Sequence, residues 1–130
     1  MKWILKLPFP GLRKNIKYVK KQWGLEVWLC NNEKYCAKFL ILKPGYQCSL
    51  HAHRYKDETF IVLSGKVNLE TLQFKENGEK TVNTLKAGNS YRILPDLFHR
   101  FSSKLGALIL EVSTTHSDED VIRLEESRKL

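Results

Sequence analysis

The sequence predicts an all-β domain, a closed barrel or jelly roll of short strands followed by one helix at its C-terminus. Three observations carry that expectation. Apolar, β-prone runs recur at roughly 8–12-residue spacing, and turn residues separate them. No internal repeat or low-complexity tract interrupts the succession. The 130 residues, 42% apolar and 28% charged, suit one core and exclude a disordered, collagenous or coiled-coil chain.

Residues 1–24 read as an N-terminal arm, because Pro8, Pro10 and Gly11 break any early element and the basic stretch after them has no clean period. The domain is expected over residues 25–130. Its first strand, Glu26 to Cys30, stops at Asn31-Asn32, and the second, Tyr35 to Leu42, stops at Lys43-Pro44-Gly45. Gln47 to Arg54, Thr59 to Leu63 and Lys66 to Phe74 follow, the last two split by Ser64-Gly65. Asn77-Gly78 is a hairpin turn signal. Lys80 to Leu85, Ser90 to Leu94, Phe98 to Ser102 and Ala107 to Ser113 complete the strands. The closing helix is expected from Ser117 as its cap, with Asp118, Glu119 and Asp120 at its positive end and Arg128-Lys129 at its negative end.

The formal net charge is +8, which invites a nucleic-acid reading. Its location argues against one. Seven of the 22 basic residues and none of the 14 acidic ones fall in residues 1–24, leaving a nearly neutral domain behind. No apolar run is long enough to span a bilayer, and Met1 to Pro8 is too short and too charged for a secretory core, so a cytoplasmic protein with no membrane or nucleic-acid partner is expected. Cys30, Cys36 and Cys48 form no CxxC pair and are expected to be reduced thiols.

The residues with chemistry cluster. His51 and His53 stand at i and i+2, so on a strand both imidazoles meet one face. Glu58 follows after a gap long enough for a bend, on a strand where it shares a face with Phe60 and Val62. A carboxylate facing a barrel interior needs a positive partner, which a divalent cation held with His51 and His53 would supply. His99, sharing a face with Phe101, is the fourth candidate ligand. Three neutral imidazoles and one carboxylate suit Mn, Zn, Fe, Co or Ni and leave two positions open in an octahedral ion.

Gly45-(x5)-His51-x-His53-(x4)-Glu58-(x6)-Gly65 resembles the first sequence motif of the cupin superfamily at every spacing. Gly88 and His99 keep the glycine-to-histidine offset of the second motif. Pro95 is one residue late there, Leu97 replaces its second glycine, and Ser103 its final asparagine. The resemblance implies a small jelly-roll barrel with the metal inside, held by His51, His53, Glu58 and His99.

Cupin folds carry many activities, so function rests on other groups. Glu111 shares a face with Ala107, Ile109 and Ser113 and reads either as a proton shuttle or as an edge-strand residue that reaches solvent. Lys56, between His53 and Glu58, reads either as a group that polarises an oxygen or donates a proton, or as an exposed loop lysine. The run His51-x-His53-x-x-Lys56-x-Glu58, His99-x-Phe101, Gly106-Ala107-x-x-x-Glu111-x-Ser113-Thr114 and a downstream Asp120 is similar to the D-lyxose isomerase family of cupins. That similarity spans roughly residues 43–123. It implies a metal, usually manganese, and places Lys56 and Glu111 at a small carbohydrate substrate. The implied reaction is aldose–ketose isomerisation through a metal-chelated enediolate, with Glu111 as the proton carrier. A non-catalytic sugar or sugar-nucleotide binding cupin and an Fe(II) dioxygenase are the alternatives. A homodimer is expected from the cupin resemblance. His116 is expected to cap the final helix, with an approach to the site as the alternative, and Arg92 and Arg100 to be surface charge rather than a binding site for a substrate phosphate.

Overall fold

The computed structural model describes residues 16–73 and 78–130, and every structural statement below concerns those residues. The chain's alternation of apolar and polar residues does what a period of two requires. Strand β3 (Tyr35–Leu42) buries Cys36, Lys38, Leu40 and Leu42 and leaves the residues between them more exposed. It lies between β2 (Gly24–Asn31) and β10 (Ala107–Thr114), antiparallel to both. β1 (Lys17–Lys21) covers the outer edge of β2, with Lys17 opposite Trp28 and Lys21 opposite Gly24. Part of the segment expected to be an arm is therefore a strand of the sheet, and residues 1–15 of it lie outside the described residues.

The runs expected as two strands around Ser64-Gly65 form one long strand, β6 (Glu58–Leu72). Its first half pairs with β10 and with β8 (Ser90–Ile93). Its second half pairs with β7 (Lys80–Lys86) and β9 (Phe98–Ser103). β6 thus passes from one curled sheet into the other, and the pairing with β10 slips by one residue between Leu108 and Ile109. The β6–β7 turn expected at Asn77-Gly78 falls partly outside the described residues. Gly65 marks the passage: its φ is +82°, and a β-carbon there would come within 2.5 Å of the Gly106 carbonyl oxygen. Gly65→Ala is accordingly expected to destabilise the domain by at least about 1–3 kcal/mol, the scale of a strained backbone alone, read as a lower urea midpoint with unchanged m.

The second sheet is completed from far along the chain. β4 (Tyr46–Gln47) and β5 (Leu50–Ala52) both pair with β9, and His51 is directly opposite His99. The C-terminal helix is absent, which corrects the expectation from Ser117 onward. Ser117 to Asp120 is a turn, closed by the Asp120 amide donating to the Ser117 carbonyl at 3.0 Å. Beyond it β11 (Ile122–Glu125) pairs with β5, and β12 (Arg128–Lys129) pairs with β4. The acids and the terminal bases imitate helix-end signals, but Ile122-Arg123-Leu124-Glu125 alternates with a period of two. Two unpaired sheet edges are available to it, and tertiary pairing outweighs local propensity.

No helix occurs among these residues, and so none is long and apolar enough to cross a membrane. The three cysteines are free. The core fills one end of the barrel with Trp23, Leu40, Leu42, Phe60, Val62, Leu69, Phe101 and Ile109. Phe101 meets Trp23 edge-on at 4.9 Å and Phe60 at 5.8 Å between ring centroids. These rings floor the cavity described next.

Candidate metal centre and cavity

A cavity of about 490 Å³ opens between the two sheets, within the ~300–1,000 Å³ range usual for small-ligand sites. Trp23, Leu40, Phe60 and Phe101 line its apolar part, and His51, His53, Lys56, Glu58 and Glu111 are among its polar lining. The cross-strand pairing of β5 with β9 sets His51 and His99 side by side, their ring centroids 4.4 Å apart. His53 lies just past the end of β5. Each of His51, His53 and His99 offers a ring nitrogen, and the three atoms lie within 4.8 Å of one another. Glu58, the first residue of β6, reaches this group from the other sheet. Its carboxylate oxygens stand 3.4 Å from His53 Nε2 and 3.6 Å from His99 Nε2.

The hydrogen bonds fix which nitrogens face inward. Nδ1 of His51 donates to the Ser49 carbonyl at 2.8 Å, Nδ1 of His53 to the Asp120 carbonyl at 2.5 Å, and Nδ1 of His99 to the Leu97 carbonyl at 2.9 Å. A carbonyl only accepts, so Nδ1 carries the proton and each Nε2 is left with its lone pair toward the shared centre. His99 Nε2 and Glu58 Oε2 are buried without a hydrogen-bond partner. Orphaned polar atoms of that kind need an explanation, and a divalent cation accepting all four side chains fits the donor set. Burial, then the neighbouring His99 and His53, holds His51 well below the ordinary imidazole range. Burial lowers His53 as well, against the opposing pull of Glu58. Burial would raise the Glu58 carboxyl, but contact with His99 and the charges of Lys56 and His53 outweigh it and hold the group ionised.

Lys56 and Glu111 meet across the cavity wall. Lys56 is buried, and its ammonium touches Glu111 Oε2 at 2.7 Å and Glu58 Oε2 at 3.8 Å. Burial disfavours that ammonium, but Glu111 and then Glu58 outweigh the penalty and raise its pKa. Glu111 sits on β10 opposite Phe60 on one side and Lys38 on the other, buried on the face shared with Ile109. The bend carrying Lys56 is tied down by Asp120. Its carboxylate accepts from the amides of Arg54 at 2.7 Å and Lys56 at 3.0 Å, while its carbonyl holds His53. One residue thus fixes a histidine of the cluster and the lysine beside it.

Sequence reasoning missed Lys38, Glu26 and Trp28. Lys38 is 1% exposed, 3.6 Å from Glu26 Oε1 and 3.9 Å above the Trp28 ring. Burial lowers its pKa, and the Lys56 charge adds to that, against Glu111 and Glu26. The available signal was parity, since Lys38 shares a face with Leu40 and Leu42, but β3 is apolar on both faces and parity alone did not orient it. His116 caps nothing, because the helix it was expected to cap does not form. Its ring lines the cavity, with Nδ1 3.1 Å from Lys56 Nζ and Nε2 2.8 Å from Asp118 Oδ1. Burial first, then the Lys56 and Lys38 charges, lowers its pKa against the pull of Asp118. Arg92 is exposed and paired with Asp57 at 2.5 Å. Arg100 is no surface charge: it is 3% exposed and bonds the Cys48 carbonyl at 2.9 Å and Glu125 at 3.0 Å.

Known proteins resemble this arrangement at three levels. The family model for the mannose-6-phosphate isomerase C-terminal domain matches residues 12–126. A D-lyxose/D-mannose isomerase of Thermosediminibacter oceani is 34% identical, with 69% of this chain and 61% of that protein covered. The chain therefore spans about three fifths of that relative's length. Among solved structures, the oxalate decarboxylase of Bacillus subtilis superposes with a TM-score of 0.74 at 18% identity, covering 85% of this chain and 30% of that one. The oxalate decarboxylase of Lactobacillus farciminis gives 0.72 at 17%, covering 85% and 34%. At that identity the likeness concerns the fold alone. Barrel, histidine spacing and family match agree, and the chain belongs to the mannose-6-phosphate isomerase C-terminal family of cupin domains.

Proposed function

We propose that this domain is a metal-dependent sugar isomerase that interconverts an aldose and a ketose. The observation that carries the reading is the buried Glu111 carboxylate, held at 2.7 Å by Lys56 on the wall of the cavity that His51, His53 and Glu58 also line. The isomerase relative and the family match support it. His51, His53, Glu58 and His99 would hold the ion, and manganese is the first ion to test. A divalent cation bound there supplies Lewis-acid polarisation of the substrate's adjacent oxygens.

The remaining work falls to this chain's own side chains. Aldose–ketose exchange moves one proton from C2 to C1 and one between the two oxygens. Glu111 takes the C2 proton and returns it to C1. Lys56 donates to the oxygen on which negative charge develops, and its contact with Glu111 keeps the carboxylate aimed while the site is empty of sugar. The apolar floor of Trp23, Phe60 and Phe101 keeps bulk water from the carbon being deprotonated.

The test is metal analysis of the purified protein, then a panel of pentoses and hexoses, free and phosphorylated, assayed with the metal found. Conversion of at least one aldose to its ketose is expected. Saccharide binding with no conversion by fully loaded protein would sink the isomerase and leave a binding module. Oxygen uptake dependent on Fe(II) would replace it with an oxygenase.

A further inference from the structure

The turn after β10 carries two groups that the reaction leaves idle. His116 and Asp118 are not needed as proton carriers or as ligands, yet they are built into the cavity wall. Lys56 is a four-bond lever whose ammonium can swing, and burial beside Glu111 does not by itself fix its direction. Its protons are all donors, so the nitrogen that meets it on His116 must present a lone pair. That nitrogen is Nδ1, at 3.1 Å. The ring's one proton is then on Nε2, where Asp118 Oδ1 accepts it at 2.8 Å.

The ring itself has little freedom. Asn31 clamps the backbone of His116 from both sides, its amide nitrogen donating to the His116 carbonyl at 3.0 Å and its oxygen accepting from the His116 amide at 2.9 Å. Trp28 meets the imidazole edge-on, 4.8 Å between centroids. Asp118 is 86% exposed at the mouth, whereas the His116 side chain is 14% exposed. An otherwise ordinary surface acid is thereby connected, through one ring, to the ammonium at the cavity wall.

We infer that His116, held in its Nε2–H tautomer by Asp118, is a positioning residue that aims the Lys56 ammonium at Glu111 and the substrate oxygen. The inference rests on the isomerase reading for its kinetic consequence, and on hydrogen-bond geometry alone for the tautomer. Without the ring's lone pair, Lys56 keeps its charge and its carboxylates but loses the contact that fixes its third direction.

Two measurements test it in the full chain. A long-range ¹H–¹⁵N spectrum of uniformly ¹⁵N-labelled protein loaded with Zn²⁺, a diamagnetic ion, reads the tautomer without any turnover. His116 is assigned by its absence from the His116→Asn spectrum. The expected pattern is a protonated Nε2 and a bare Nδ1. A protonated Nδ1, or an imidazolium, overturns the inference. Kinetics give the second readout. His116→Leu is expected to lower kcat roughly 10–100-fold, the weight of one hydrogen bond to a charged group, with KM within about twofold of wild type. His116→Asn, whose side-chain oxygen falls near the lost Nδ1, is expected to recover most of that loss. An unchanged kcat in His116→Leu, a loss confined to KM, or no recovery in His116→Asn overturns the positioning role. If the wild-type protein converts no sugar, the isomerase reading fails while the spectrum still decides the tautomer.

Discussion

Glu111→Gln is expected to lower kcat roughly 10²–10⁴-fold, the contribution of one positioned base, while metal content stays at the wild-type level. The substitution keeps the size of the side chain and leaves an amide oxygen to accept from Lys56, so the wall of the cavity is preserved. What it removes is basicity at the one carboxylate that is close to Lys56 and is not part of the histidine cluster. Metal content measured on the same preparation separates the two carboxylates. Glu58 stands against His53 and His99 at 3.4 and 3.6 Å, whereas Glu111 makes its contact with Lys56. Loss of metal together with activity in Glu111→Gln would show that this carboxylate supports the ion and would take the proton-carrying role away from it. A kcat that falls with little change in KM is the signature of an interaction made in the transition state.

Replacing His51 and His53 together by alanine is expected to abolish stoichiometric metal binding and, with it, turnover. The two imidazoles come from one short stretch of chain, and their Nδ1 protons are committed to the carbonyls of Ser49 and Asp120, so both inward lone pairs are preset. Removing them leaves one histidine and Glu58, too few donors to compete with water for a divalent ion. Stability offers a readout independent of substrate. An ion that binds only the folded state adds about 2.7 kcal/mol at a free concentration a hundredfold above its Kd. Wild type should therefore melt at a higher temperature with added Mn²⁺, and the double variant should show no such increment. A retained increment would place the ion elsewhere.

Much of the barrel was legible because its strands are short and punctuated. Lys43-Pro44-Gly45, Lys86-Ala87-Gly88-Asn89 and Lys104-Leu105-Gly106 each end a run that the structure also ends. The histidine cluster was legible for the same reason: on a strand, spacing of two is a statement about direction. Two things were hidden. Ser64-Gly65 reads as a break, yet a glycine with positive φ lets the strand bend and continue, so two expected strands are one. The segment after Ser117 carries three acids behind a capping serine, a pattern written for a helix N-terminus, and only the vacant edges of β4 and β5 decide otherwise. Those edges are long-range facts. With the helix went the capping role favoured for His116, and the turn that replaced it put the ring against Lys56.

The way Asp120 grips the bend at residues 54–56 also has a consequence in time. His53 and Lys56 are oriented by an acid that is made more than sixty residues after them, with sequence separations of 67 and 64. His51 likewise waits for His99 and then for Arg123 to complete its neighbours. During synthesis the first histidines emerge with only the local Ser49 contact of His51 to orient them, and a chain still short of Asp120 has no finished cavity to offer. Any ion these side chains hold is therefore acquired late, by a nearly completed barrel, and contributes to keeping the fold rather than to starting it.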